Sequence, residues 1–421
     1  MKIFKFGGAS SQNANGIRNI VNIIREFYDK NIIIVISAIG KTTNELERLV
    51  AAFFTNSEEK YTLLDEIVSK HNAIMAELFD NTDSAAIADI QSQFHLLKNY
   101  LGKEPSENYN FEYDQIVPFG EIIASKIIAH YLNKEKLTNH WLDARKLIIT
   151  DNSYREGEVN WKKTEKKIQK TIQRFLENTN NKQLFVTQGF IGGTTENITT
   201  TLGREGSDFS AAIFAYSTNA EGVTIWKDVD GLLNADPKQF SDTVQLDKIP
   251  YYEAIELAYY GASVIHPKTI KPLQNKNIPL YVKSFIHYKD KGSIIHDFTQ
   301  KKKIPCYIKK TNQMLLSISP KDFSFIAEEN LSTIFAIFAF FGFKINLMQN
   351  SALSFSVCVD ERSNWQELIE ELQTEFYVKY NKNIELLTIR HYNKNSLTKE
   401  LKDKKIILEQ RNRTTLQVIL K

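Results

Sequence analysis

Two short segments carry the residue types that anion chemistry needs. The first is Lys5-Phe6-Gly7-Gly8-Ala9-Ser10. A strand-like run, Lys2 to Phe6, ends at two glycines, and a helix is expected soon after, over roughly Gly16 to Tyr28. Glycines let backbone N–H groups approach an anion closely, and a helix N-terminus favours negative charge. Lys5 stands close enough to that turn to reach a terminal phosphate. A plain glycine turn after an edge strand fits the same residues equally well. The second segment, Thr200-Thr201-Leu202-Gly203-Arg204-Glu205-Gly206-Ser207-Asp208, follows a glycine-rich loop, Gly189 to Gly193. Arg204 offers the planar fork that grips a carboxylate or phosphate with two hydrogen bonds. Asp208 suits a lysine or a metal. Ser207 or Asp208 also reads as a helix N-cap, a role compatible with function.

Weaker signals flank these two. Lys227, Asp228 and Lys238 surround an Asp-Gly turn after the strand-like Gly222 to Trp226; they suit a nucleotide, or simply a solvent loop. Glu121 opens a helix expected over Phe119 to Leu132, where it would read an amine or complement the helix dipole. Gly40-Lys41-Thr42-Thr43 imitates a P-loop, but the position that motif reserves for its first glycine is Val35, inside a strand. The eight histidines show no metal-ligand spacing, and His266 reads as a helix-boundary residue.

The elements that must position these groups are those of an α/β protein. Ile32-Ile33-Ile34-Val35-Ile36 is a continuous β-branched run of the kind buried on both faces of a parallel sheet. With the first strand and helix it makes a βαβ unit. Two or three amphipathic helices are expected over Thr42 to Tyr100, and strands at Leu184 to Thr187 and Pro279 to Val282, the latter the last of this region. The lysine-rich stretch Lys289 to Lys310 reads as a solvated linker. Beyond it, strands at Met314 to Ile318, Phe343 to Asn346, Ser354 to Val359, Leu386 to Ile389 and Thr415 to Ile419 alternate with helices over Leu331 to Phe341 and Trp365 to Tyr377. That alternation suggests a ferredoxin-like module.

Composition narrows the function classes. The 421 residues suggest two or three domains at about 150 residues each. A net charge of +3 makes no electrostatic case for nucleic acid, and two cysteines exclude a disulfide framework. MKIFKFGGAS lacks the apolar stretch of a signal peptide, and the most apolar run, Ile334 to Phe343, is half the ~20 residues needed to cross a bilayer. A soluble cytoplasmic protein without membrane or nucleic-acid partners is expected.

The motifs in their order resemble those of the aspartokinases of the amino acid kinase superfamily: KFGGAS at 5–10, VISAIGKTTN at 35–44, FGE at 119–121, GFIG at 189–192, TTLGREGSD at 200–208, WKDVDGLLNADPK at 226–238 and ELAYYGASVIHPKT at 256–269. The resemblance implies a three-layer αβα kinase domain with a mainly parallel central sheet over residues 1–298. It also implies a ferredoxin-like (βαββαβ) ACT region of two modules over 299–421. It implies phosphoryl transfer from ATP, with Mg²⁺, to the β-carboxylate of L-aspartate; a homodimer; and an amino-acid effector at the ACT region. Matched by position, Lys5 and Asp208 would be catalytic, and Thr43, Glu121, Arg204 and Ser207 would bind the amino acid. Lys5, Phe6, Gly7, Gly8, Ser10, Lys227, Asp228, Leu233, Lys238, Ser263 and Val264 would bind the nucleotide, and no residue is matched to a metal. Another amino acid kinase, of the glutamate or N-acetylglutamate type, or a non-catalytic ACT sensor remain alternatives.

Four positions depart from the family pattern. Ala9 lacks the usual hydroxyl, Glu205 replaces a glycine beside the expected phosphates, Ser263 replaces a lysine, and Leu233 replaces a common tyrosine. The charge lost at Ser263 is expected to pass to Lys227 or Lys238. Asn346 and Lys344 stand where lysine-sensing relatives present an aspartate and a serine, so lysine inhibition is expected to be weak or absent.

Overall fold

The computed structural model describes residues 1–177, 179–262, 265–299, 303–322, 324–393, 400–401 and 404–421. The chain divides into two compact units. The first comprises Met1–Leu232, Leu246–Ile255 and Ile265–Thr299; the second comprises Leu233–Gln245, Glu256–Val264 and Gln300–Lys421. The second unit therefore draws two short segments from within the first 298 residues.

The first unit is built on β1 (Lys2–Phe6), β2 (Ile32–Ile36), β3 (His140–Leu142), β4 (Leu184–Gln188), β5 (Ile191–Gly193), β6 (Thr199–Thr201), β7 (Gly222–Lys227), β8 (Lys248–Pro250), β9 (Leu280–Ser284) and β10 (Ser293–His296). Eight of these form one sheet in the order β3-β4-β2-β1-β7-β9-β10-β8. The strands from β3 to β9 in that order run parallel, and β10 pairs antiparallel with β9. All five residues of β2 are buried, as a strand covered on both faces requires. Phe4, Phe6, Ile32, Ile34 and Ile36 join a core made with the helices Ala14–Phe27, Thr42–Phe54, Glu59–Leu78 and Phe119–Lys134. Ile3, Ile33 and Val35 point the other way and are also fully buried, and the helix Gly206–Thr218 lies against β1, β2 and β7. The result is the three-layer αβα arrangement. β5 and β6 pair separately as a two-stranded ribbon.

In the second unit, β11 (Cys306–Pro320), the helix Glu328–Phe340, β12 (Ile345–Asn350), β13 (Phe355–Asp360), the helix Trp365–Glu375 and β14 (Phe376–Arg390) follow in βαββαβ order. Their sheet order, β12-β13-β11-β14, is ferredoxin-like, and β16 (Thr415–Leu420) and β15 (Ile406–Arg411) extend it beyond β14. Met314, Leu316, Ile334, Phe338, Val357, Leu368 and Leu372 form its core. Among the described residues no helix is long and apolar enough to cross a membrane.

Two expectations fail here. Pro279 to Val282 is not the last strand of its region, because the four-residue strand β10 follows it and pairs between β9 and β8. The stretch Lys289 to Lys310 is not a linker throughout. Lys309 and Lys310 lie within β11, where Lys309 pairs with Glu385 at 3.5 Å and Lys310 donates to Asn346 Oδ1 at 2.8 Å. Lys301 and Lys302 lie outside the described residues.

Candidate active site

The C-terminal ends of β1, β2 and β7 open into a cleft of about 870 Å³, the position where open α/β sheets place ligands. Lys5, Ser37, Thr43, Glu121, Arg204, Ser207, Asp208 and Lys227 all line it. Lys5, only 9% exposed, is the penultimate residue of β1, and its Nζ meets Asp208 Oδ1 at 2.7 Å. Asp208 stands in the first turn of the helix Gly206–Thr218, so the two segments singled out in the sequence converge through an ion pair.

Local backbone geometry explains how each group is presented. Gly203 and Glu205 both adopt left-handed conformations (φ 79° and 55°), which push Arg204 outward between them. Glu205 carries a side chain in a conformation that favours glycine, at a cost of about 1–3 kcal/mol. Its Oε2 accepts from the His266 backbone N–H at 2.9 Å. Glu205 thus lines the cleft while its carboxylate is engaged. His266 itself caps the helix Pro267–Asn275, as expected of a boundary residue. Gly189 is required because a Cβ there would lie 2.6 Å from the Ser207 side chain.

On the opposite wall, Gly120 brings the helix Phe119–Lys134 against the loop after β2; a Cβ there would lie 2.9 Å from Ala38 Cβ. That approach buries Glu121 to 2% exposure. Its Oε1 accepts from the Ala38 N–H at 3.2 Å, and its Oε2 is buried without a hydrogen-bond partner. Burial pushes the Glu121 carboxyl up to about 8, against the opposing pull of the Ala38 N–H. A half-satisfied buried carboxyl facing a cleft is a site waiting for a cation.

Other expected residues serve differently. Phe6 is a packing residue: its ring is fully buried and stacks on Trp226 at 6.1 Å. Ser10 is buried in the turn, with its N–H donated to Gly7 O at 3.0 Å. Gly8 is pressed against the loop after β2, where a Cβ would lie 2.6 Å from Gly40 O. Gly7, Gly8 and Ser10 shape the Lys5 turn without lining the cleft. Asp228 is exposed and outside the lining. Leu233 and Lys238 belong to the second unit, and Ser263 and Val264 lie outside the described residues.

The cleft also contains residues without a short motif to announce them: Glu47, Asn110, Tyr113, Tyr154, Arg155 and Glu156. The signal for Arg155 is its left-handed φ of 69°, which a sequence does not display. The buried Asp114 holds it by accepting from the Arg155 N–H and the Thr201 N–H, both at 3.0 Å, and from Thr201 Oγ1 at 2.7 Å.

As to metals, the described residues contain one group with ligand-like spacing, the exposed Asp230, His287 and Asp290, and none of the three lines the cleft. Asp208, the carboxylate nearest Lys5, is already ion-paired. Glu47, Asp208 and Glu205 are each engaged by a group of the chain, and among the described residues no three of the cleft carboxylates converge on one point.

Comparison with known proteins agrees with this geometry. The family described as the amino acid kinase family matches residues 1–284. A bifunctional aspartokinase/homoserine dehydrogenase of Arabidopsis thaliana is 31% identical over 300 residues, covering 70% of this chain and 32% of its own. The chain thus spans about a third of the length of that relative. Aspartokinase 3 of the same plant is 28% identical over 424 residues, covering 97% of this chain and 73% of its own. Among solved structures, aspartokinase III of E. coli in complex with lysine and aspartate superposes with a TM-score of 0.83 at 25% identity, covering 100% of this chain and 95% of that one. Fold, cleft and motif order lead to one conclusion: the chain belongs to the amino acid kinase family.

Proposed function

We propose that the cleft transfers the γ-phosphoryl group of Mg-ATP to the β-carboxylate of L-aspartate, giving 4-phospho-L-aspartate and ADP. The observation that carries this reading is the convergence, in one cleft, of a lysine–aspartate pair, a free guanidinium and a buried carboxyl with one oxygen unpartnered. The relatives named as aspartokinases, one solved with aspartate, support it.

The chemistry asks little of the protein beyond placement. An ordinary carboxylate has a pKa near ~4, so the nucleophile arrives deprotonated and no general base is needed. A β-carboxylate oxygen attacks the γ-phosphorus, a new P–O bond forms, and the bond to the β-phosphate oxygen breaks with its electron pair leaving on ADP. Two anions must be brought into line and the spreading charge neutralised. Lys5 supplies that charge at the end of β1, and Asp208 fixes its ammonium. Lys227, at the end of β7, is the cation that compensates for Ser263. Glu121 takes the α-ammonium and Arg204 the α-carboxylate, which leaves the side-chain carboxylate free to react.

A hydroxamate assay tests the reading. Wild type should form hydroxamate with aspartate and Mg-ATP and far less with glutamate or N-acetylglutamate, and Lys5→Ala should give none. A preference for either longer acid, or equal activity in Lys5→Ala, overturns it. Lys227→Ala should raise the KM for ATP; an unchanged value would remove Lys227 from the nucleotide site.

A further inference from the structure

We propose that Arg155 is a second reader of the acceptor's α-carboxylate, gripping it together with Arg204 and so determining which acids the cleft accepts. The inference rests on the aspartate-kinase reading above and assigns a role to a residue that no motif announces.

Arg155 is held more firmly than an exposed arginine needs to be. Its backbone sits in the left-handed region, a cost that persists only where the surroundings impose it. Asp114, fully buried, imposes it by clamping the Arg155 N–H to Thr201 at the end of β6. Its guanidinium lies over the Tyr113 ring at 4.3 Å, and the Tyr113 hydroxyl is in turn tied to Glu47 Oε1 at 2.9 Å. A stacked, backbone-clamped guanidinium loses little entropy on binding an anion.

Its neighbours point to a carboxylate. The Arg155 and Arg204 loops touch: a Cβ on Gly203 would lie 3.3 Å from the Arg155 carbonyl. Neither guanidinium forms an ion pair among the described residues, although Glu47, Glu156 and Glu205 also line the cleft. Glu47 is engaged by Tyr113, and Glu205 by the His266 N–H. Tyr113, whose ring carries the Arg155 guanidinium, lines the same cleft as Glu121 and Arg204. An α-ammonium and an α-carboxylate hang from the same carbon. With the ammonium at Glu121, a second guanidinium beside Arg204 in the same cleft is placed for that carboxylate, whereas Lys5 and Lys227 sit at the strand ends where phosphates are expected.

The test compares L-aspartate with L-isoasparagine, which keeps the β-carboxylate and replaces the α-carboxylate by an amide. Wild type should prefer aspartate strongly. Arg155→Met should lower kcat/KM for aspartate by about 30- to 100-fold, change the isoasparagine value less than threefold, and leave the KM for ATP alone. Arg155→Lys should recover only part of the loss, because it restores charge without the stacked fork. Equal losses on both substrates would mean a merely structural role and overturn the proposal; Arg155→Gln, which keeps length and polarity, should repeat the Met pattern if the chain folds. If wild type prefers glutamate or N-acetylglutamate, the aspartate reading fails, while the same comparison with that acid and its α-amide still decides the role of Arg155.

Discussion

Two buried polar centres, one in each unit, differ in how completely they are satisfied. In the kinase unit, Glu121 is buried with one oxygen bonded and the other left without a partner. In the ferredoxin-like unit, Gln313, 1% exposed, sits in a closed network. Lys310 Nζ donates to Asn346 Oδ1 at 2.8 Å, Asn346 Nδ2 donates to Gln313 Oε1 at 2.8 Å, and Gln313 Nε2 donates to Asp360 Oδ1 at 2.8 Å. A complete network rigidifies and specifies a fold, whereas an incomplete one is a standing cost that only a ligand removes. The first centre is thus read as working chemistry and the second as architecture.

The sharpest way to break that contrast is at the Lys5–Asp208 pair. Asp208→Asn should lower kcat by about a thousandfold or more, since a misplaced cation loses the charge stabilisation on which phosphoryl transfer depends. Steady-state kinetics with Mg-ATP and aspartate checks this, and a loss under tenfold would remove the pair from the mechanism.

Next comes Glu121. With its carboxyl near 8 in the free protein, it must lose a proton to receive an ammonium. The KM for aspartate should therefore fall by up to about tenfold per pH unit from pH 6 towards 8, and then level. Glu121→Gln should raise KM and flatten that profile. The same group makes the opposite prediction for stability. Its folded value lies above its unfolded one, so the protonated form is favoured by folding. The contribution is whole below about 4.5 and is lost as pH rises through 8. Glu121→Gln should accordingly melt higher than wild type at pH 9 and close to it at pH 5, measured by calorimetry without substrate.

Smaller effects are expected from the second unit. Gln313→Leu leaves Asn346 and Asp360 short of partners and should cost about 1–3 kcal/mol in denaturant titration, with kcat unchanged. Cys358 is fully buried, and burial pushes its thiol up to about 12, so a thiol reagent at pH 8 should leave it unmodified in the folded protein. Lysine should inhibit only weakly, because Asn346 already accepts from an ammonium of the chain itself, Lys310. Inhibition at micromolar lysine would overturn that expectation.

The parts of the site legible in the sequence were those written as contiguous motifs. Lys5, Arg204 and Asp208 stand beside glycines whose spacing limits the backbone, and β2 is uniformly β-branched. Arg155 and Tyr113 were invisible because what makes them functional is a clamp from Asp114 across 41 residues, along with a stacked ring. The burial of the Phe6 ring follows from period-two alternation, which puts it on the same face as Phe4, in the core. The lysines at 309 and 310 looked like a solvated run because β11 is long, with a register irregularity after Lys310, so its polar middle masks its continuity. β15 was missed because only half of it is apolar: Ile406-Ile407-Leu408 gives way to Glu409-Gln410-Arg411, and no residue of this edge strand is fully buried.

The contact at Gly8 has a further meaning. Its carbonyl accepts from the Gly40 N–H at 3.0 Å, and no side chain fits between the two loops. The turn that carries Lys5 and the loop that leads to Thr43 are therefore welded together as one jaw of the cleft. Any change in the length of acid the cleft is proposed to take must therefore come from its other walls, such as the loop bearing Tyr154, Arg155 and Glu156.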